Sequence, residues 1–71
     1  MRYLNSDFVE QEILDTISLM QLNNEFVPEL SGDHIHQLAV NFIFEWNEVG
    51  DYEANFDQTL RQFLTYEFAT F

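Results

Sequence analysis

The sequence predicts an all-α fold, a compact three-helix bundle with helices at roughly 6–23, 32–49 and 53–69. Three observations support this prediction. Apolar residues recur at helical spacing in three separate segments, helix start and stop signals divide those segments, and 71 residues leave room for only one domain. Residues 1–71 are therefore predicted to form a single acidic helical domain.

The first helix is predicted to begin near Ser6, where the stretch SDFVEQE offers an N-cap followed by early acids. It should end at Asn23 or Asn24, because asparagine tolerates the left-handed conformation that closes many helices. Its core face is formed by apolar residues three or four positions apart. These are Val9, Ile13, Ile17 and Met20.

The connection after the first helix is predicted to contain a short extended segment at 25–30, with the sequence EFVPEL. Pro28 prevents the helix from continuing through it. Its apolar residues Phe26, Val27 and Leu30 are expected to tuck beneath the helices.

The second helix has the clearest apolar pattern. Ser31 or Asp33 is expected to cap its start, and Gly50 stands where a helix C-terminal glycine belongs. A stripe of apolar residues about 100° wide should face the core. Its members are Ile35, Leu38, Ala39, Phe42, Trp46 and Val49.

The third helix is predicted to begin near Asp51 or Asn55, and NFDQ resembles a capping box with Gln58 three residues after Asn55. Asp57 precedes Arg61 by four residues, which predicts a surface ion pair. The C-terminal LTYEFATF also alternates apolar and polar residues, so a strand there remains open. The apolar face of the helix consists of Phe56, Leu60, Phe63, Leu64 and Phe71.

The charge balance is the main indication of function. Thirteen Asp and Glu residues stand against Arg2 and Arg61, with no lysine, and the net charge is −11. Phosphate binding requires Lys or Arg, so the chain is not expected to bind nucleic acid directly. Anionic membranes should repel it, and its expected partner is a basic protein surface.

The same composition limits location and chemistry. No apolar run approaches the roughly 20 residues that span a bilayer, and the N-terminus becomes acidic too early for a signal peptide. A cytoplasmic location is expected. There is no cysteine, which excludes disulfides and thiolate metal sites. A content of 46% hydrophobic and 17% aromatic residues argues against disorder.

The stretch FEWNEVGDYEANFD, residues 44–57, is the predicted binding surface, and we call its outward carboxylates the acidic ridge. Carboxylates three or four residues apart on a helix lie about 5–6 Å apart, which imitates the spacing of phosphates along a strand. Phe44 projects opposite the core stripe and Tyr52 lies within the stretch, so both are candidate aromatic anchors. The ridge consists of Glu45, Glu48, Asp51, Glu53 and Asp57.

A second acidic cluster is predicted on the first helix, from Asp7 and Glu10 to Glu12 and Asp15. Glu12 and Asp15 are the candidate binding residues in it. They lie between three apolar residues that fall off the core stripe, namely Phe8, Leu19 and Leu22. These apolar residues are either covered within a small domain or exposed as anchors, and self-association as a homodimer through the same patch is a further alternative.

Metal and catalytic sites receive weaker support. His34 and His36 point about 200° apart on a helix and cannot share a metal there. The stretch from Asp51 resembles a calcium loop at its early positions, but Phe56 replaces the glycine and Gln62 the bidentate glutamate. A short helical chain rarely encloses the pocket that paired catalytic carboxylates need. The sequence therefore predicts no enzyme, no metal and no cofactor.

In size, acidity and lack of lysine the whole chain resembles the small acidic inhibitors made by phages and mobile elements, such as anti-CRISPR and anti-restriction proteins and inhibitors of DNA-repair enzymes. The resemblance implies a non-enzymatic inhibitor that mimics DNA or RNA in the basic groove of a nucleic-acid-binding protein. It rests on no diagnostic motif and carries over no functional residue. The same charges would also keep an aromatic-rich domain in solution.

Two other hypotheses remain. The chain could be a small adaptor or antitoxin-like partner that binds through an exposed apolar stripe. It is also similar to acyl carrier proteins in length, acidity and helical architecture. Those carriers attach their prosthetic arm to a serine within an Asp-Ser-Leu motif at the start of the second helix. Here that place reads ELSGDHIHQL around Ser31, and the motif is absent.

Overall fold

The computed structural model describes residues 4–49 and 55–70, except for the side chain of Val49. Within these ranges the chain forms three helices, α1 (Ser6–Leu22), α2 (Gly32–Val49) and α3 (Phe56–Ala69), and no strand. The all-α prediction is confirmed. None of the helices in the described ranges is long and apolar enough to cross a membrane.

The C-terminal segment is helix, so the alternative of a strand there is wrong. Leu64 and Phe68 are four residues apart and both are buried, whereas Tyr66 between them is 70% exposed. A strand would place all three side chains on one face, whereas a helix places Tyr66 about 200° away from Leu64, so the exposure of Tyr66 agrees with the helix. Packing against the other helices selects the helix. The predicted face also omitted Phe68, and Phe71 lies outside the described residues.

The start of α1 differs from the prediction by one residue. Asn5, not Ser6, is the N-cap, and its Oδ1 accepts hydrogen bonds from the backbone N–H groups of Asp7 at 2.7 Å and Phe8 at 3.4 Å. Asn5 keeps an extended backbone, whereas Ser6 is already helical. At the other end Asn24 adopts φ 61°, the left-handed conformation expected of it.

For α2 and for α3, the structure shows which of the two predicted residues caps the helix. Ser31 Oγ accepts a hydrogen bond from His34 N–H at 3.3 Å, so Ser31 rather than Asp33 caps α2. Asn55 Oδ1 accepts from Gln58 N–H at 3.1 Å, and α3 therefore begins at residue 56 instead of 53. The predicted roles of Asp51 and of Gly50 lie outside the described residues.

The core is a single cluster to which all three helices contribute. Phe42 lies at its centre, 2% exposed, with ring centroids 5.8 Å from Trp46, 5.6 Å from Phe56 and 5.3 Å from Phe63. Offset and edge-on ring pairs at these distances add to the gain from burial. The indole Nε1 of Trp46 is buried without a hydrogen-bond partner among the described residues. The buried apolar residues are Leu4, Val9, Ile13, Met20, Ile35, Leu38, Ala39, Phe42, Leu60, Phe63, Leu64 and Phe68.

The connection between α1 and α2 packs along the core without forming a strand. Val27 and Leu30 pack against the core as expected, but Phe26 is 68% exposed, so its predicted burial is wrong. A side chain on extended backbone alternates sides, and Val27 takes the inward place beside Phe26. The connection also carries Glu25, whose carboxylate binds the guanidinium of Arg61 on α3. This ion pair fastens the connection to the third helix.

Candidate protein-binding site

A surface groove runs between α1 and α3, and we call it the α1–α3 groove. Its volume is about 330 Å³, it is open along one side, and its apolar surface comes from Leu19 and from the aliphatic parts of polar side chains. The Phe8 and Phe56 rings lie near one end, with centroids 5.8 Å apart. Its lining residues are Glu12, Asp15, Thr16 and Leu19 from α1 and Asp57, Gln58 and Arg61 from α3.

Three residues predicted to bind the partner meet in this groove. Glu12 and Asp15 form part of the α1 wall, and Asp57 forms part of the α3 wall. Asp15 and Asp57 are exposed and Glu12 is half-buried. The fold thus joins two groups that the sequence placed in separate clusters, the α1 acids and the last member of the acidic ridge.

The rest of the acidic ridge lies only partly within the described residues. Glu45 and Glu48 are exposed on the last turns of α2, three residues apart and therefore on neighbouring positions of one helix face. Asp51, Tyr52 and Glu53 fall outside the described residues, so the continuity of the ridge stays a prediction. Neither Glu45 nor Glu48 lines the α1–α3 groove.

Phe44 is 65% exposed on the outer face of α2, in the position that helical spacing predicted. Val40, one turn earlier, is 42% exposed on the same side of the helix. This makes a small apolar patch beside Glu48. The patch is separate from the groove, since neither apolar residue is among the groove-lining side chains.

The four acids of the second acidic cluster do not share one face of α1. Glu10 Oε2 lies 3.0 Å from His36 Nδ1 on α2, so this carboxylate pairs with a neighbouring helix at the surface. Successive helix residues are 100° apart, and Glu10 points away from Glu12 and Asp15 towards the α2 side. Asp7 remains exposed in the first turn of α1.

Arg61 is paired differently from the prediction. Its guanidinium binds Glu25 in the α1–α2 connection rather than Asp57 one turn earlier on its own helix. Glu25 follows the left-handed turn at Asn24, which brings it across to α3. The pairing leaves the carboxylate of Asp57 without a salt bridge among the described residues.

The histidines lie at the start of α2 and do not converge. His34 Nδ1 is 3.2 Å from Ser31 Oγ, and His36 contacts Glu10. Within residues 4–49 and 55–70 no group of three or more His, Asp or Glu side chains is arranged to hold a metal ion. The early positions of the calcium-like stretch fall outside those residues.

Three exposed apolar side chains lie on the face of α1 that borders the groove, with Glu12 and Asp15 between them. Leu19 lines the groove and is 55% exposed, and Leu22 one turn later is 78% exposed. Phe8, one turn before Glu12, is 49% exposed although its ring touches Phe56. The sequence placed all three off the core stripe, and the structure leaves all three exposed.

Sequence reasoning missed the groove itself, although a signal for each wall exists. Glu12, Thr16 and Leu19 are spaced like one helix face, and so are Asp57 and Arg61. No pattern within one helix indicates which face of another helix lies opposite.

No family model, curated protein or solved structure matches this chain.

Proposed function

We propose that this protein is a non-enzymatic inhibitor that presents an acidic, DNA- or RNA-mimicking surface to the basic groove of a nucleic-acid-binding protein. The target class is a CRISPR effector, a restriction enzyme or a DNA-repair enzyme. This is the function expected of the small acidic inhibitors of phages and mobile elements that the chain resembles in size and charge.

The observation that carries the proposal is the number of carboxylates without a basic partner. Eleven of the thirteen acids lie in the described residues, and none of these eleven is buried. Only Glu10 and Glu25 have a salt bridge there, which leaves nine carboxylates facing solvent or the groove without one. Held on a rigid helical frame, such charges attract a basic surface over distances of about 10 Å at ordinary ionic strength.

The arrangement explains how inhibition would work. A basic groove that evolved to bind phosphates carries a positive field, which speeds its encounter with an acidic protein. Once bound, carboxylates on α2 and along the α1–α3 groove occupy phosphate-binding positions, and apolar neighbours such as Phe44 contribute buried area. Nucleic acid is then excluded by competition for the same surface, and no chemical step is required.

The proposal predicts that the protein displaces fluorescent duplex DNA from at least one purified protein of the target classes. A triple charge reversal, Glu45→Lys with Glu48→Lys and Asp57→Lys, should weaken displacement by at least about a hundredfold, because it replaces attraction with repulsion at the contact. Fluorescence anisotropy at several salt concentrations measures both the displacement and its salt dependence.

The matched control is a triple reversal at acids away from these positions, Asp7→Lys, Glu29→Lys and Asp33→Lys, which changes the net charge equally. It should weaken displacement far less, and circular dichroism should show all variants helical. Displacement that survives reversal of Glu45, Glu48 and Asp57, or that does not depend on salt, would contradict nucleic-acid mimicry.

The exposed apolar residues favour a second candidate, a small adaptor or antitoxin-like protein. Phe44 and Leu22 are 65% and 78% exposed, and such residues serve as anchors in protein interfaces. In that case Phe44→Ala or Leu19→Ala should damage binding more than charge reversal does, and salt should have little effect. The salt series therefore distinguishes the two candidates.

A further inference from the structure

We infer that the α1–α3 groove binds a basic amphipathic helix of the partner protein, with apolar side chains of that helix in the groove and its arginines or lysines against the carboxylates of the rim. The inference rests on the proposed function, because it names the part of the target that this chain contacts.

The shape of the groove suits a helix. Its α1 wall runs from Glu12 to Leu19, about 10 Å at 1.5 Å per residue, and the exposed side chains of Phe8 and Leu22 extend the same face of α1 to about 21 Å. That length matches about four turns of a partner helix. A partner helix laid between α1 and α3 would bury its apolar face by interdigitating side chains with them, as helices do within a bundle. Helix-in-groove recognition uses this geometry, with anchors at i, i+3, i+4 and i+7.

The backbone of the groove walls also favours a helix over an added strand. Both walls are helices, and the N–H and C=O groups inside a helix bond to each other. No strand edge occurs in residues 4–49 and 55–70 to which an extended peptide could add. The groove therefore offers only side chains, and these recognise the side chains of an already folded element.

The charge on the rim requires a basic occupant. Glu12, Asp15 and Asp57 provide three carboxylates on the two walls, against the single guanidinium of Arg61. Arg61 is already bound by Glu25, so its charge is compensated. A partner arginine can place its aliphatic stem on the apolar floor beside Leu19 while its guanidinium forms paired hydrogen bonds with a carboxylate.

A second copy of this chain does not fit that requirement. Each copy carries a net charge of −11, and the only basic residues besides Arg61 are Arg2 and the two histidines. His36 is held by Glu10. Docking one acidic helix face into another acidic groove would oppose like charges, which costs binding energy.

The test uses the full chain and a capped synthetic peptide of about 16 residues, long enough to follow the groove edge. The peptide carries leucines at i, i+3, i+4 and i+7 spacing with arginines on both flanks. A second peptide replaces each arginine with citrulline, which keeps the shape and removes the charge. Calorimetry should show binding of the arginine peptide and little or none of the citrulline peptide. Amide NMR shifts should move at Asp15, Leu19, Gln58 and their neighbours.

Two pairs of variants locate the site. Leu19→Ser with Leu22→Ser should weaken peptide binding at least about tenfold, since both leucines are central to the proposed contact. The matched control, Val40→Ser with Tyr66→Ser, removes two exposed side chains that do not line the groove and should change binding by less than about twofold.

For charge, Asp15→Asn with Asp57→Asn should weaken binding more than Glu45→Gln with Glu48→Gln, although both remove two negative charges. Circular dichroism checks that every variant is folded.

Failure of the inference and failure of the proposed function give different results. If the arginine peptide does not bind, or if each groove variant behaves like its control, the groove is not the docking site. DNA displacement by the wild-type chain would then still support mimicry through the α2 carboxylates. If the peptide binds in the groove but no DNA is displaced from any target, the groove assignment holds and the inhibitor function falls.

Discussion

Phe42 shows most clearly how one residue organises this small domain. It lies on α2, touches Trp46 on its own helix, and contacts Phe56 and Phe63 on α3. A domain of this size buries only about 60% of the surface that its unfolded chain exposes. Few side chains can therefore be lost, and an aromatic ring shared between two helices contributes more than its own area.

Truncation of this ring should be severe. Phe42→Ala is expected to lower the free energy of unfolding by about 3–5 kcal/mol, because it removes buried area and leaves a cavity that the neighbouring rings fill only in part. Urea denaturation followed by circular dichroism measures the change. Phe44→Ala, two residues away on the same helix and 65% exposed, is the matched control, expected within about 0.5 kcal/mol of wild type. Equal losses in the two variants would contradict the described packing.

Arg61 illustrates a charge whose partner depends on the tertiary fold. Both Asp57 and Glu25 were within reach in principle, and Arg61 binds Glu25. The pair is partly exposed, with 39% and 33% of the two side chains accessible, so its net contribution to stability is of the order of 0–1 kcal/mol. Its main consequence is electrostatic. Because Arg61 pairs with Glu25, it does not pair with Asp57, and the groove rim stays acidic.

At the scale of the element, each helix begins at a polar side chain that accepts backbone N–H groups. Asn5, Ser31 and Asn55 fill this role for α1, α2 and α3. The first turn of every helix also contains an acid, which the positive end of the helix dipole stabilises. No described helix has a basic residue in its last turn, because the chain has almost none to place there.

The cap of α3 can be tested separately from the core. Asn55→Ala should cost about 0.5–2 kcal/mol of stability, because the N–H of Gln58 loses its acceptor. Thermal denaturation followed by circular dichroism measures it. Asn47→Ala provides the same substitution at an exposed position inside α2, where alanine is the better helix former, and should be neutral or slightly stabilising. A neutral effect of Asn55→Ala would show that another group caps the helix.

The α1–α2 connection has consequences beyond joining two helices. The Glu10–His36 contact joins the first halves of α1 and α2. Two antiparallel helices connected by a short loop would instead place the first half of one helix beside the second half of the other. Residues 23–31 are nine in number and can span about 30 Å when extended, enough to return along the length of α1. This path brings Glu25 to Arg61, which lines the α1–α3 groove.

At the scale of the whole molecule, net charge acts on stability and on binding in opposite directions. The Cα atoms extend over 34 × 23 × 20 Å. The Debye length is about 30 Å at 0.01 M salt and about 8 Å at 0.15 M. In dilute salt every carboxylate therefore repels nearly every other, whereas near physiological salt only close neighbours interact.

Added salt should consequently raise the melting temperature of the protein and weaken its binding to a basic partner. We expect the melting temperature to rise by several degrees between about 0.01 and 0.15 M NaCl, as screening relieves self-repulsion in the compact state. Calorimetry at matched protein concentration measures the shift. Tetramethylammonium chloride at equal ionic strength is the control, since screening predicts the same rise with either cation. A rise with sodium alone would indicate a specific cation site instead.

The helices could largely be predicted because their signals are local. Val9, Ile13 and Met20 follow the helical period, and Pro28 and Asn24 mark the break after α1. The errors of the prediction are also local, such as the choice of Ser6 where Asn5 is the first cap. Both residues are good caps, and choosing between neighbours depends on where the chain enters the helix.

The candidate site was predicted only in part. The positions of Phe44, Leu19 and Leu22 off the core stripes were predicted, and of the two alternatives left open for them the structure shows exposure. The grouping of Glu12 and Asp15 with Asp57 was not predicted, because these residues are more than forty positions apart along the chain. Spacing within a helix gives the face of a residue but not the helix that lies opposite.

The amino-acid sequence by itself determined the three amphipathic helices and the strongly acidic charge, because periodicity, caps and net charge are properties of the chain. Only the tertiary structure decided that α1 and α3 form a groove. It also decided that Glu10 and Glu25 pair with side chains of the same chain, whereas Asp57 has no salt bridge among the described residues. The physical reason is that packing brings distant side chains within a few ångströms, and charges choose partners at that distance.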